Sequence, residues 1–288
     1  MTARHLPEPG GAPAAAGASP GGRRALRESL KRLAGSALAS AAPQCRYDRM
    51  VFILGHMRCG STALSQVLCA HPAISGYGEA HIAYDGADGP GRLLLNQARR
   101  GAWKRRALHL HDKILHNRHD RAAPEGFFAA RAIFLVRQPE PAIRSIRHLF
   151  AAIGSAEYAT DEAAAAYYGA RLARLAALWH RFPAERRIGF DFAGLTSDPA
   201  RVLAAASHML GLAQPLANAY PRRARPAEGA GDPLAASHFR AIVPAAAATS
   251  LGQAPAPLNL PPAALRQLEA QYRTLRSLFA EAGLSPTP

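Results

Sequence analysis

Residues 50–62 read Met50-Val51-Phe52-Ile53-Leu54-Gly55-His56-Met57-Arg58-Cys59-Gly60-Ser61-Thr62. An unbroken apolar run closed by a glycine turn is what a strand covered on both faces of a parallel sheet requires. Ser61–Ala70 continues in a helical pattern. In a strand, tight turn and helix start, successive backbone N–H groups and the positive end of the helix dipole form a nest for a phosphate-like anion. Against the nucleotide-binding pattern GxxxxGK[ST], both glycines and Thr62 match, but Ser61 stands where the lysine belongs. The missing cation must come from another residue, and Arg58 is the candidate. The plainer alternative is an ordinary strand–helix turn carrying a surface arginine.

Working outward, strands are expected at Ala73–Tyr77, Ala107–Ile114, Ala132–Val136 and Arg187–Phe192. Helical patterns fall at about 92–104, 140–151, 161–182, 199–210 and 262–282. The fourth has Asp198 as N-cap, Pro199 at its first position and Gly211 just past its end. The last carries Leu265, Leu268, Tyr272, Leu275 and Phe279 on one stripe, with Gly283 as its stop. Strands alternating with helices imply right-handed crossovers and a mostly parallel central sheet, an α/β fold.

The chain has 288 residues, 49% hydrophobic and 19% charged, which excludes a wholly disordered protein and fits one large or two small domains. Residues 1–45 are expected as a flexible Ala/Pro/Gly-rich tail with a short basic amphipathic helix at 23–39, and 46–288 as the domain proper. That helix either packs on the domain or touches a membrane surface peripherally. Residues 221–258, rich in Pro, Gly, Ala and Arg, are expected as a lid or acceptor-binding loop. Three cysteines, Cys45, Cys59 and Cys69, suit no disulfide scaffold, and a reducing, cytoplasmic setting is the expectation. No apolar run approaches the ~20 residues of a membrane-spanning helix.

The formal charge is +15; residues 1–45 hold +4 of it, so the excess belongs to the body of the chain. This predicts an anionic partner. Aromatics are 7% and do not interleave with basic residues, so a small polyanion is as plausible as nucleic acid, and no nucleic-acid partner is expected. An anionic saccharide or lipid acceptor is compatible with the surplus.

A second basic element is Ile133-Phe134-Leu135-Val136-Arg137, followed by a helix bearing Ser145. A metal-dependent phosphoryl-transfer enzyme places a carboxylate near the end of such a strand to hold Mg²⁺. Arg137 instead offers a forked, permanent cation suited to gripping a phosphate directly, with Ser145 two helical turns on. Asp191 and Glu140 are the carboxylates that would neutralise Arg137 if its role were structural. His109 and His111 share a strand face, with His116 and His119 nearby, but thiols and carboxylates at ligand spacing are missing and no metal is expected.

Together these elements resemble the PAPS-dependent sulfotransferases, PAPS being 3′-phosphoadenosine 5′-phosphosulfate. That family's 5′-phosphosulfate loop is similar to Gly55-x-x-Arg58-x-Gly60-Ser61-Thr62, and its 3′-phosphate element to Val136-Arg137 with Ser145. The likeness spans roughly residues 50–212, ending at Asp198-Pro199 through Leu210-Gly211-Leu212. It implies a three-layer, P-loop-like domain. It also implies a donor site of Arg58, Cys59, Gly60, Ser61, Thr62, Arg137 and Ser145, with PAPS as co-substrate and no metal.

His71-Pro72 through Gly78-Glu79 is similar to a stretch of the tyrosylprotein and carbohydrate sulfotransferases, which implies Glu79 as general base. Removing the acceptor's proton is a step the chemistry requires. His81 and His56 are the other candidate bases. Lys113 matches a lysine near the transferred group and implies stabilisation of the leaving oxygen. The C-terminal part departs from the family: Phe190-Asp191-Phe192 replaces a "YEDL"-like sequence, and no "RKG" loop is found. Arg240, in Ser237-His238-Phe239-Arg240, is the candidate substitute. A metal-dependent P-loop kinase or nucleoside triphosphatase, and a non-catalytic polyanion-binding protein, are the competing classes.

Overall fold

The computed structural model describes residues 20–221, 239–244 and 257–281. Residues 1–19 of the expected tail and most of the 221–258 loop lie outside these, as do Ser237, His238 and Gly283. Five strands, β1 (Met50–Gly55), β2 (Ile74–Ser75), β3 (His109–Ile114), β4 (Arg131–Val136) and β5 (Arg187–Asp191), form one sheet in the order β2-β3-β1-β4-β5. Every pairing is parallel, with Ile53 opposite Lys113 on one side and Ile133 on the other.

Strand alternation divides the core in two. Met50, Phe52 and Leu54 face one layer, with Ala132, Phe134 and Val136 beside them, while Val51, Ile53, Ile133 and Leu135 face the other. The first layer is built by α3 (Gly89–Arg99), α5 (Pro139–Ala152), α6 (Asp161–Arg181) and α9 (Pro262–Phe279). The second is built by α2 (Ser61–Ala70), α7 (Phe192–Ser197) and α8 (Pro199–Leu210). The domain is therefore three-layered, as expected. Each fully buried side chain of this kind contributes roughly 1.5–3 kcal/mol on leaving water.

Local signals hold where they were strongest. Asp198 accepts the N–H of Arg201, Pro199 opens α8, and Gly211 closes it at φ 64°. Buried Leu268, Tyr272, Leu275 and Phe279 line one face of α9, and Phe279 packs 4.9 Å from Trp179. Three boundaries move. The second strand shrinks to Ile74–Ser75 at the sheet edge, and the predicted 92–104 helix lies at Gly89–Arg99. The last strand stops at Asp191 because that side chain accepts the N–H of Gly194 and starts α7. The basic helix is longer than predicted: α1 (Pro20–Ala41) lies on α3, where Gly35 meets Gly91 so closely that a Cβ on Gly91 would come within 1.9 Å of the Gly35 carbonyl.

After β1 the chain crosses to β2, returns to β3 beside β1, and then crosses to β4 on the other side of β1. The carboxyl end of β1 is thus a topological switch point, where the flanking loops diverge and leave a crevice.

Candidate active site

All five strands deliver residues to this crevice. After β1, Gly55 has no room for a side chain: a Cβ would lie 2.7 Å from the Leu135 carbonyl oxygen and 2.9 Å from Cys59 Sγ. Arg58 at φ 66° and Gly60 at φ 91° are both left-handed, and together they fold the loop back on itself before α2 begins. For arginine this conformation is uncommon and is kept only where the surroundings over-determine it. Ser61 and Cys59 are buried, with the Cys59 thiol pushed up by desolvation.

The β1 and β4 loops meet. Arg58 Nε donates to Ser145 Oγ at 2.8 Å, and Arg137 NH1 donates to the Arg58 carbonyl oxygen at 3.2 Å. The guanidinium of Arg137 lies 4.2 Å from the centroid of the Phe192 ring. Neither carboxylate considered as its neutraliser reaches it: Asp191 is held by Arg276 Nε at 2.8 Å and by Tyr272, and Glu140 pairs with Arg144. Burial, then the neighbouring charge of Arg58, push Arg137 below its ordinary value. Two like charges held together without a carboxylate on Arg137 are an arrangement that an anion would stabilise. Beside Arg137 opens a cleft of about 400 Å³ whose walls include Gln138, Phe192, Thr196, Ser197 and Tyr272.

On the other side, Lys113 projects from the end of β3 to Thr62 Oγ1 at 3.3 Å and Glu79 Oε2 at 3.7 Å. Glu79 is 9% exposed, and its Oε1 has no hydrogen-bond partner, although His81 Nδ1 stands 3.6 Å away. His81 is itself left-handed, at φ 53°, with its side chain half exposed. The expected donor residues, with Glu79, His81 and Lys113, thus lie at one end of the sheet.

The other candidates separate. His56 is fully buried: its Nε2 accepts the Arg137 backbone N–H, so Nδ1 carries the proton and donates to the Met57 carbonyl. Desolvation pushes it down to about 4. It braces β1 to β4, and both ring nitrogens are taken. His109 and His111 point toward α8 and α2, bonding the Leu210 carbonyl and, for His111, the Val51 carbonyl and Ser65 hydroxyl. Arg240 is exposed, and its carbonyl accepts the Tyr220 N–H. Nearby Pro244 lines the cleft.

Several residues that sequence reading passed over hold the crevice open. Arg171 of α6, buried, donates to the carbonyls of Gly55 at 2.9 Å and Ile114 at 2.9 Å and pairs with Asp120 at 2.6 Å. Tyr167 receives the Met57 N–H and donates to the Leu115 carbonyl, while Tyr168 donates to the Arg137 carbonyl. One helix face thereby fixes the ends of β1, β3 and β4. Asp112 accepts the N–H groups of Ala80 and Lys113 and the Tyr84 hydroxyl, tying the end of β3 that carries Lys113 to the segment that carries Glu79. Burial raises its carboxyl to about 7. A polar Asp-Lys pair at the end of an otherwise apolar strand was the available signal for Asp112. An arginine inside an alanine-rich helix was the signal for Arg171.

Residues 50–127 match the model of the sulfotransferase family. Among solved structures, the sulfotransferase domain of the Synechococcus PCC 7002 olefin synthase is 24% identical, with a TM-score of 0.55 over 78% of this chain and 94% of that one. The sulfotransferase domain from the curacin biosynthetic pathway is 18% identical (TM-score 0.45; 77% and 96% covered). Sulfotransferase STF9 from Mycobacterium avium is 16% identical (TM-score 0.41; 91% and 85% covered). Among curated proteins none matches significantly. The first of these structures shares the parallel sheet and its helical layers. Segment 50–127 thus carries the sulfotransferase family's pattern, on a parallel α/β fold like that of the olefin-synthase sulfotransferase domain.

Proposed function

We propose that this enzyme takes its sulfuryl group from PAPS and delivers it to a hydroxyl of a small-molecule, glycan or lipid acceptor. The observation that carries this reading is the pair of arginines from the ends of β1 and β4, Arg58 bonded to Ser145 and Arg137 to the Arg58 carbonyl oxygen, with no carboxylate on Arg137 among the described residues. A bisphosphorylated donor matches this arrangement, since its two anionic ends need separate cationic grips. PAPS, when bound, supplies an activated sulfuryl group and leaves as 3′,5′-ADP.

The chain's own residues divide the remaining work. The loop Arg58, Cys59, Gly60, Ser61 and Thr62 offers N–H groups and a cation to the 5′ end; Arg137 and Ser145 grip the 3′ end. Arg58 exchanges its Ser145 hydrogen bond for a phosphate oxygen. The cleft beside Arg137, with Phe192 and Tyr272 in its wall, has the size of small-molecule sites and suits a flat base. Glu79, buried with one oxygen unused, accepts the acceptor's proton, and His81 adjoins that oxygen. Lys113, fixed between Thr62 and Glu79, counters charge growing on the bridging oxygen. Positioning and charge stabilisation carry the rate, without a covalent enzyme intermediate.

Calorimetry with 3′,5′-ADP, AMP and ATP-Mg²⁺ tests the donor. The bisphosphate should bind at least about 10-fold more tightly than AMP, the worth of one charge-assisted phosphate contact. A preference for ATP-Mg²⁺, or steep salt dependence with no nucleotide preference, would point instead to the kinase or polyanion-binding class.

A further inference from the structure

Outside the crevice, the strongest unexplained feature is α1. Leu26, Leu30 and Leu33 are 62%, 56% and 68% exposed, and they are three of the six large apolar side chains found exposed among the described residues. With exposed Ala37 they stand at i, i+4, i+7 and i+11, a single stripe along the helix. The opposite face is already occupied. Gly35 crosses Gly91 of α3 at backbone contact, Leu38 and Ala39 pack on the core, and Arg32 pairs with Asp85 at 2.6 Å. The leucines cannot turn inward without breaking that crossing, so the fold holds an apolar stripe facing outward.

Charge selects what covers it. The helix segment Pro20–Ala41 contains Arg23, Arg24, Arg27, Lys31 and Arg32 against Glu28 alone, within a chain of +15. A second copy would bring the same positive segment against itself. An anionic bilayer surface offers both an apolar layer for the leucines and charge opposite to the segment's net positive charge. No described helix is long and apolar enough to cross a membrane, so such a contact lies along the surface. We infer that α1 docks this enzyme flat on anionic lipid through Leu26, Leu30 and Leu33, with α3 as its rigid backing. This inference is independent of the donor and of the reaction.

The test is co-sedimentation of the full chain with vesicles of phosphatidylcholine alone and of phosphatidylcholine mixed with phosphatidylglycerol. Binding should be at least about 10-fold tighter to the mixed vesicles and fall by about 10-fold in the double variant Leu30→Gln, Leu33→Gln. Melting temperature and 3′,5′-ADP affinity should stay unchanged in that variant, showing that the fold and crevice are intact. Absence of binding to the anionic vesicles would overturn the inference, as would equal binding by the variant. A lipid-free dimer that the double variant dissolves would also overturn it, assigning the stripe to a second copy.

Discussion

At the end of β4, Arg137 meets a carbonyl oxygen and an aromatic ring, with another arginine next to it; at the end of β3, Lys113 faces Glu79, and Asp112 is saturated by N–H and O–H donors. The first region leaves Arg137 buried without a carboxylate partner among the described residues, which costs stability and, in the proposed reading, suits an anion that brings its own charge. The second is compensated internally but for one carboxylate oxygen of Glu79, which suits the base role proposed for it. Strained or unsatisfied groups persist only where the rest of the fold supports them. Here the support is visible: α6 braces both regions through Arg171, Tyr167 and Tyr168.

The contrast can be broken most strongly at Glu79. Glu79→Gln should lower turnover by about 10²–10⁴-fold, the usual worth of a general base, while leaving 3′,5′-ADP affinity within about 2-fold. Parallel losses of binding and turnover would show that the two regions are not separable. Next is Arg137→Ala, which should weaken 3′,5′-ADP by about 10–100-fold, from the loss of a charge-assisted phosphate contact. Because Arg137 is buried beside Arg58, its removal should not lower the melting temperature. A strongly lowered melting temperature with unchanged nucleotide affinity would make it a structural residue.

The smallest effect sharpens the contrast through pH. Burial lowers His109, His111 and His119 to about 4 and His116 to about 3, all on β3 or just beyond it, and His56 to about 4. Below about pH 6.5 the unfolded chain binds protons that these histidines refuse in the folded state, so their contribution to stability falls as pH drops toward 4. Asp112, raised to about 7, has the opposite sign: its contribution is present at low pH and lost as pH rises from about 4 to 7. Five groups outweigh one, and the melting temperature should fall by on the order of 10 °C between about pH 7 and pH 5. A flat or rising profile would show that the β3 histidines are solvated.

Much of this was legible locally. The apolar run and glycine turn located β1 and its loop, and Val136-Arg137 was read at the end of a strand, where β4 ends. Asp198, Pro199 and Gly211 marked α8 at both ends, since capping involves only neighbouring residues. The short edge strand β2 was overestimated because Ala73–Tyr77 has strand-like residues but only Ile74 and Ser75 find a partner in β3. Phe192 was assigned to a strand because it is apolar and aromatic; Asp191 turned it into a helix start that places its ring against Arg137. His56 read as a candidate base because its neighbours in the chain are the cradle, while its partners in space are backbone groups.

From its order of residues alone, the chain determined that strands and helices alternate, that a glycine turn after the first strand can seat an anion, and that an arginine ends another strand. These depend on periodicity, backbone conformation and side-chain chemistry, all readable within a few residues. Only the tertiary structure decided that Arg58 touches Ser145, 87 positions away, and that Arg171 ties down Gly55, 116 positions away. It also left Glu79 with an unused oxygen beside Lys113 and set the leucines of α1 facing outward. Such pairings follow from strand order, register and the seating of helices on the sheet, which are settled jointly by the whole core.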